Sequence, residues 1–224
     1  VPAILPDGLE IAAICEREDP RDAFVSNNYE DLDSMPEGAK LGSSSLRRRL
    51  QVKRHYPRFE YLDLRGNVQT RLRKLDEGQY DAVILAVAGL KRLRLESRIA
   101  SCIDTEICIP AAGQGAVGIE CRSDDDAIRE LLDNINHEPT RRCVTAERTL
   151  STALEAHCNL PIGAFGELDG DRLRLSAFVS DIEGTEFLKE VVEGPADEAL
   201  ALGEDLCRKL LDRGARDLVA ASRD

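Results

Sequence analysis

The middle of the chain alternates short apolar runs with segments in which apolar residues recur every three or four positions. Runs of the first kind predict strands, and segments of the second kind predict helices. The predicted elements, in chain order, are a strand at 40–42, a helix at 46–55, a strand at 59–64, a helix at 67–76 and a strand at 81–87. We expect the first helix to stop before Pro57 and the second to end at Gly78. This order predicts a βαβαβ unit, in which helices cover both faces of a mostly parallel sheet.

The C-terminal half of the chain has a different order of elements. The pattern predicts a strand at 116–121, helices at 124–135 and 139–156, strands at 161–167, 172–180 and 186–193, and a helix at 195–213. Asp169-Gly170 and Glu183-Gly184 are turn signals between the last strands, and Gly214 is the expected C-cap of the last helix. The part of the chain from residue 139 onward therefore predicts a separate α+β module.

Composition narrows the class of protein. Aromatic residues make up only 4% and Trp is absent, so the core must consist of Leu, Ile, Val and Ala, which suits layered α/β packing. The net charge of −12 argues against a general binder of nucleic acid or of a membrane surface. The chain has no apolar run near the ~18 residues of a membrane span and no signal peptide, so we expect a cytoplasmic protein. It begins with Val1 instead of Met, so we expect a fragment.

The seven cysteines predict reduced thiols. Their number is odd and they include no C-x-x-C pair, so neither a disulfide framework nor a metal site is expected. Cys158 differs from the others because it lies in a short loop between a predicted helix and a predicted strand. A loop thiol can be exposed and reactive, whereas free cysteines are mostly buried packing residues, and both interpretations stay open here.

Positive charge is concentrated between residues 40 and 98, which hold 15 Lys/Arg and 6 Asp/Glu. Arginines follow all three predicted strands of this segment, in Gly42–Arg49, in Arg65-Gly66-Asn67 with Arg71, and in Ala88–Arg92. In an open parallel sheet, ligands bind beyond the carboxyl ends of the strands, where these three turns should lie. The planar guanidinium group of arginine forms bidentate hydrogen bonds with carboxylates. The segment therefore predicts a site for a small polyanion.

Other interpretations of the same residues stay open. A serine of the first turn can be an ordinary N-cap and the arginines a solvated helix surface, although cations in a first helical turn oppose the helix dipole unless an anion offsets them. RNA is a rival ligand, but the segment has few aromatics and no recognisable nucleic-acid module. The Gly-rich turn 110–116 matches neither a P-loop nor a dinucleotide pattern. It is either an ordinary turn, or a hinge or close approach to a ligand.

Several of these motifs, taken together, resemble one enzyme family across essentially the whole chain. The motifs are Glu16–Ala23, Gly42–Arg48, Leu64–Val68, Leu85–Arg92, Gln114-Gly115-Ala116, and Cys158 with Pro161-Ile162-Gly163. They resemble porphobilinogen deaminase, also called hydroxymethylbilane synthase. Two departures are Ala156-His157, where the family commonly has two glycines before the cysteine, and Ser43, where Thr is frequent.

The resemblance implies a transferase of porphyrin and heme biosynthesis. It would join four porphobilinogen molecules head to tail into a linear tetrapyrrole, releasing ammonia at each step. The implied cofactor is a dipyrromethane, held by a thioether to Cys158, that primes the chain. Pyrroles of this kind carry acetate and propionate groups, which suits the arginines. The family positions that bind the cofactor correspond to Ser44, Ser45, Arg47, Arg48, Arg65, Arg71, Gly89, Arg92, Gln114 and Cys158.

The resemblance also implies a fold and a missing part. It implies a three-domain α/β protein with two periplasmic-binding-protein-like α/β domains, the first incomplete here, and a C-terminal α+β domain. Residues 1–15 and 116–133 would be the remnant of domain 1, 19–109 domain 2, and 137–224 domain 3. The family's catalytic aspartate would lie directly ahead of Val1, so no catalytic residue is assigned, and we expect the chain alone to be inactive unless an N-terminal segment is supplied. We also expect a monomer without nucleic-acid or membrane partners. The alternative function is a non-catalytic small-anion-binding module of the same two-lobed architecture.

Overall fold

A computed structural model of the chain describes residues 5–154 and 161–220. The fold is mixed α/β, as predicted, and it divides into two compact units. Unit 1 comprises Val1–Glu18 and Ala111–Asp224, and unit 2 comprises Asp19–Pro110. The division into three domains made from the sequence stays a prediction. Within the described ranges, no helix is long and apolar enough to cross a membrane.

Unit 2 is built on a five-stranded sheet. Its strands and helices are β2 (Asp22–Ser26), β3 (Lys40–Gly42), α1 (Leu46–His55), β4 (Glu60–Leu62), α2 (Val68–Asp76), β5 (Ala82–Ala86), α3 (Val87–Arg92) and β6 (Ser101–Ile103). The strand order is β4-β3-β5-β2-β6. The pairs β3–β4 and β3–β5 are parallel, whereas β2 is antiparallel to both β5 and β6. Four strands therefore point one way, and β2 points the other way between two of them.

Alternation along the strands of unit 2 produces two apolar layers. Successive side chains of a strand point to opposite faces, so Phe24 and Ile84 join one cluster while Val25 and Val83 join the other. The first cluster also contains Val52 of α1, and the second contains side chains of α2 and α3. The predicted covering of both sheet faces by helices is confirmed.

The described part of unit 1 contains two smaller sheets. Its strands and helices are β1 (Leu9–Ile14), β7 (Gly118–Arg122), α4 (Asp126–Asp133), α5 (Glu138–Ala153), β8 (Ile162–Asp169), β9 (Arg172–Ser180), β10 (Phe187–Pro195), α6 (Ala199–Asp212) and α7 (Ala215–Ala220). β1 pairs antiparallel with β7, and β8, β9 and β10 form an antiparallel sheet. Side chains of β9, α5 and α6 meet in one core that includes Leu150, Leu175 and Leu206. A helix follows Gly214, where the sequence predicted only a cap, and Gly214 has the expected positive φ of 91°.

A buried carboxylate ties together four segments of unit 1. The side chain of Glu147 is fully buried on α5 and accepts hydrogen bonds from Arg17 Nη1 at 2.6 Å and from Arg17 Nη2 at 3.2 Å. It also accepts from the backbone N–H groups of Gly113 at 2.6 Å and Gly166 at 2.8 Å. The guanidinium of Arg17 also lies over the Phe165 ring, with Cζ 5.1 Å from the ring centroid. Glu147 is therefore the polar centre of this unit.

Candidate functional site

The antiparallel direction of β2 decides which residues meet at one edge of the unit 2 sheet. The carboxyl ends of β3, β4, β5 and β6 lie at this edge, and Asp22, the first residue of β2, pairs with Ala86 at the end of β5 and with Ile103 at the end of β6. The edge is therefore formed by the turns that follow four strands and by the start of a fifth. We call it the carboxyl edge.

The turn after β3 begins α1 with a serine cap. Ser45 Oγ accepts from the Arg48 N–H at 3.4 Å, and the Ser45 N–H donates to Ser43 Oγ at 3.3 Å. Ser44 is exposed beside it. Ser45 is thus an N-cap that starts a ten-residue helix, one of the interpretations that the sequence left open.

Arg47 is buried, which the sequence did not predict. Its side chain is 5% exposed and forms a bidentate ion pair with Asp22. Nη1 donates to Oδ2 at 2.8 Å, and Nη2 donates to Oδ1 at 3.1 Å. Nη1 also donates to the Ile109 carbonyl at 2.8 Å. Burial would lower the pKa of Arg47, but the charge and hydrogen bonds of Asp22 more than offset it, so this pKa is raised. Contact of Arg47 with a cofactor stays a prediction.

Arg48 shares the same carboxylate. Its Nε and Nη2 each lie 2.8 Å from Asp22 Oδ1, and its side chain is 11% exposed. Arg49 pairs instead with Asp63 at 2.7 Å. Each cation at the start of α1 therefore has a carboxylate of the protein beside it. Asp22 and Asp63 supply two carboxylates for these three cations, and the expectation that an anionic ligand also offsets them stays a prediction.

Arg71 brings a second guanidinium to Arg48. It is half-buried in the first turns of α2, and its Nε donates to the Gly66 carbonyl at 2.8 Å. Gly66 has a φ of 123°, where a Cβ would lie 2.8 Å from Thr70 Cγ2, so this turn requires glycine. The pKa of Arg71 is lowered, first by burial and second by the positive charge of Arg48. The two like charges are therefore close enough to interact.

The remaining predicted site residues of unit 2 are more open. Arg65 is 84% exposed, with Nη2 at 3.8 Å from Asp63. Gly89 lies on α3, and a Cβ added there would meet nothing within 4 Å. Arg92 is exposed three positions further along, on the same face of α3 as Gly89. The space beside Gly89 on this face of α3 is therefore uncrowded and lies next to the positive charge of Arg92.

Two predicted site residues lie elsewhere. Gln114 belongs to unit 1, where its carbonyl accepts from Arg17 Nε at 2.8 Å. Cys158 lies outside the described residues.

Sequence reasoning missed Asp22 as a site residue. Its carboxylate is fully buried and also accepts from the Cys108 thiol at 3.2 Å. One signal was present, an acidic residue at the start of the apolar strand Asp22–Ser26, where a buried carboxylate needs a cationic partner. The strand direction that aims it at Arg47 and Arg48 has no such signal.

Unit 2 is thus an α/β unit with a cationic edge on its sheet. Comparison with family models matches residues 1–130 to "porphobilinogen deaminase, dipyromethane cofactor binding domain" and residues 141–212 to "porphobilinogen deaminase, C-terminal domain". The chain belongs to the porphobilinogen deaminase family, a family of transferases in heme biosynthesis with a dipyrromethane cofactor. The resemblance stated from the sequence is confirmed.

Two solved structures show weaker likeness. One, a proposed methionine-binding lipoprotein from Bacillus subtilis, is 14% identical with a TM-score of 0.37, over 56% of this chain and 61% of that one. The other, YhfZ from Shigella flexneri, is 18% identical with a TM-score of 0.28, over 67% of this chain and 66% of that one. The chain thus spans less than two thirds of the length of either, and neither likeness carries the assignment.

Proposed function

We propose that this chain binds a carboxylate-bearing oligopyrrole at the carboxyl edge of unit 2, as part of a hydroxymethylbilane synthase. The reaction joins four porphobilinogen units head to tail and releases ammonia at each step. The observation that carries this proposal is the placement of Arg48 and Arg71 early in the two helices that follow β3 and β4, neighbouring parallel strands whose carboxyl ends both lie at this edge. Such a pair is stabilised by a bound carboxylate, which removes the repulsion between the two cations.

The residues of this edge fit the dipyrromethane cofactor of the family. Its acetate and propionate groups need cationic donors, and Arg48, Arg71 and Arg92 supply them. Its rings need uncrowded space, and the open position above Gly89 supports this. When bound, the dipyrromethane supplies the pyrrole end to which substrate units are joined. We assign to holding its carboxylates and rings the residues Ser44, Ser45, Arg48, Arg65, Arg71, Gly89 and Arg92. We assign Arg47, which is buried beneath them, to supporting these residues.

Attachment of the cofactor through a thioether to Cys158 is also part of the proposal. It is tested by intact mass spectrometry of the untreated protein, together with acid Ehrlich reagent. We expect a mass above that of the sequence by two linked pyrroles, a positive colour, and loss of both in Cys158→Ser. A bare mass that stays bare after incubation with porphobilinogen favours a non-catalytic small-anion-binding module, or a fragment that does not assemble its primer.

Binding by the arginine pair is tested with porphobilinogen and its dimethyl ester, which lacks both negative charges. We expect calorimetry to show binding of the acid and at least ten times weaker binding of the ester. Arg71→Gln should weaken the binding of the acid by about 10-fold or more, because a hydrogen bond to a charged group contributes ~1.5–3 kcal/mol. The matched control is Arg73→Gln, two residues along α2, whose exposed side chain pairs with Glu77. Equal affinity for acid and ester, or equal loss in the two variants, contradicts the proposal.

Inactivity of the chain by itself, a monomeric state and a cytoplasmic location stay predictions. The first is checked by assaying the purified chain for tetrapyrrole formation from porphobilinogen, and robust turnover contradicts it.

A further inference from the structure

Asp22 occupies an unusual position among the charges of the carboxyl edge. It is one fully buried carboxylate that accepts three hydrogen bonds from two consecutive arginines and also lies 2.8 Å from Arg48 Nη2. Consecutive helical residues point about 100° apart, as the 3.6-residue turn requires, so their side chains do not converge by themselves. Arg47 and Arg48 converge here because both bind the same carboxylate.

Arg47 and Arg48 differ in what else surrounds them. Arg47 is fixed from a second side by the Ile109 carbonyl, which Gln51 Nε2 also contacts at 3.1 Å. Arg48 is nearer the surface, and its positive charge contributes, after burial, to the lowered pKa of Arg71. The carboxylate of Asp22 holds the Arg48 guanidinium through two contacts of 2.8 Å, from Nε and from Nη2 to Oδ1.

We propose that Asp22 is a positioning residue, which holds the Arg48 guanidinium at the carboxyl edge so that it meets a carboxylate of the ligand. The inference rests on the proposed function, in which Arg48 and Arg71 bind an oligopyrrole carboxylate. Asp22 acts through Arg48 and does not itself touch the ligand. Preorganisation of this kind lowers the ordering cost of binding, since a long arginine side chain is already fixed.

The proposal and simple electrostatics predict opposite changes in porphobilinogen affinity when Asp22 loses its charge. Removal of a negative charge near an anion site should by itself strengthen anion binding. If Asp22 positions Arg48, Asp22→Asn should instead weaken porphobilinogen binding by about 10-fold. In an Arg48→Gln background the same change should leave the affinity within about 2-fold, because Arg48 is no longer there to be held. Stronger binding by Asp22→Asn, or an equal loss in both backgrounds, overturns the proposal.

Two further measurements keep the test decisive. Asp22→Asn leaves Arg47 buried without its carboxylate. If that variant does not fold, the double-mutant cycle with Arg48→Gln is made with Asp22→Glu, which keeps the negative charge and displaces the carboxylate oxygens. The Nε–H signal of Arg48 is then followed by NMR without ligand, assigned with Arg48→Lys. We expect a single, exchange-protected signal in the parent chain that loses protection in Asp22→Glu, and unchanged protection contradicts the positioning role.

The two proposals fail separately. If the parent chain does not prefer porphobilinogen to its dimethyl ester, the proposed function fails, while the Arg48 Nε–H signal still decides whether Asp22 holds this side chain. If the preference is present but the signal and the cycle do not respond to Asp22, the positioning role alone is wrong.

Discussion

Replacement of Glu147 by glutamine should sharply destabilise unit 1. Each carboxylate oxygen accepts from one nitrogen of Arg17 and one glycine N–H, Gly166 on Oε1 and Gly113 on Oε2. The amide group of glutamine would replace one of these acceptors with a donor, whichever way it turned, and would leave Arg17 without its counter-charge. Breaking a buried ion pair by removing one partner costs about 3–5 kcal/mol.

The loss can be read from urea unfolding followed by far-UV circular dichroism. With a slope of ~2 kcal/mol per molar urea, a loss of ~4 kcal/mol lowers the unfolding midpoint of unit 1 by ~2 M. Because all four tyrosines (Tyr29, Tyr56, Tyr61 and Tyr80) lie in unit 2 and Trp is absent, tyrosine fluorescence reports unit 2 in the same samples.

The matched control is Glu138→Gln in the first turn of α5. Glu138 is 55% exposed and pairs with Arg142 at 3.1 Å, so its replacement should shift the free energy of unfolding by less than ~1 kcal/mol. A midpoint for Glu147→Gln within ~0.5 M of the parent chain, or a shift equal to that of Glu138→Gln, would refute the assignment of Glu147 as the polar centre of unit 1.

Two more predictions concern the backbone and the thiols. Arg94 has a φ of 57°, and the N–H groups of Arg94 and Leu95 close the end of α3 on Lys91 and Leu90, a geometry that favours glycine. Arg94→Gly should therefore be ~1 kcal/mol more stable than Arg94→Ala in tyrosine-detected unfolding, and equal stability contradicts this. In unit 1, burial raises the pKa of Cys143 and of Cys207 to about 11, from an ordinary 9.0. Their neutral thiols stabilise the fold fully below pH 9, and this stability is lost as the pH rises through 11. The double variant Cys143→Ala/Cys207→Ala should lose less melting temperature than the parent chain between these pH values, whereas parallel curves would show that the thiols do not contribute.

The elements of unit 2 could be predicted because their signals are local. The strand at 40–42 and the helix at 46–55 match the structure at both ends, since Ser45 caps the helix and Pro57 follows its end. The predicted strand at 59–64 shortens to Glu60–Leu62, because the chain leaves the ladder to form the turn toward Asn67. Strand ends depend on partners and are less well defined by the sequence.

The candidate site could be predicted only in part. Its arginines follow strands, which is a local pattern. The burial of Arg47 was missed because it depends on Asp22, 25 positions earlier, and on the antiparallel direction of β2. Glu147 was missed for the same reason, since its partner Arg17 lies 130 positions away and a glutamate inside a helix normally indicates a solvated face. Pairings that depend on topology leave no periodic trace in the sequence.

The insertion of unit 2 into unit 1 affects the order in which the two units can fold during synthesis. Unit 2 is one continuous segment, so all of its strands have left the ribosome once Pro110 emerges. Unit 1 is split around it, and β1 has to wait for β7 and Arg17 for Glu147. Because domains fold as units during translation, unit 2 can reach its native state while β1 and Arg17 are still without their partners. Nascent chains stalled at the length at which Pro110 has just left the ribosome would therefore carry a folded unit 2, while β1 is still unpaired.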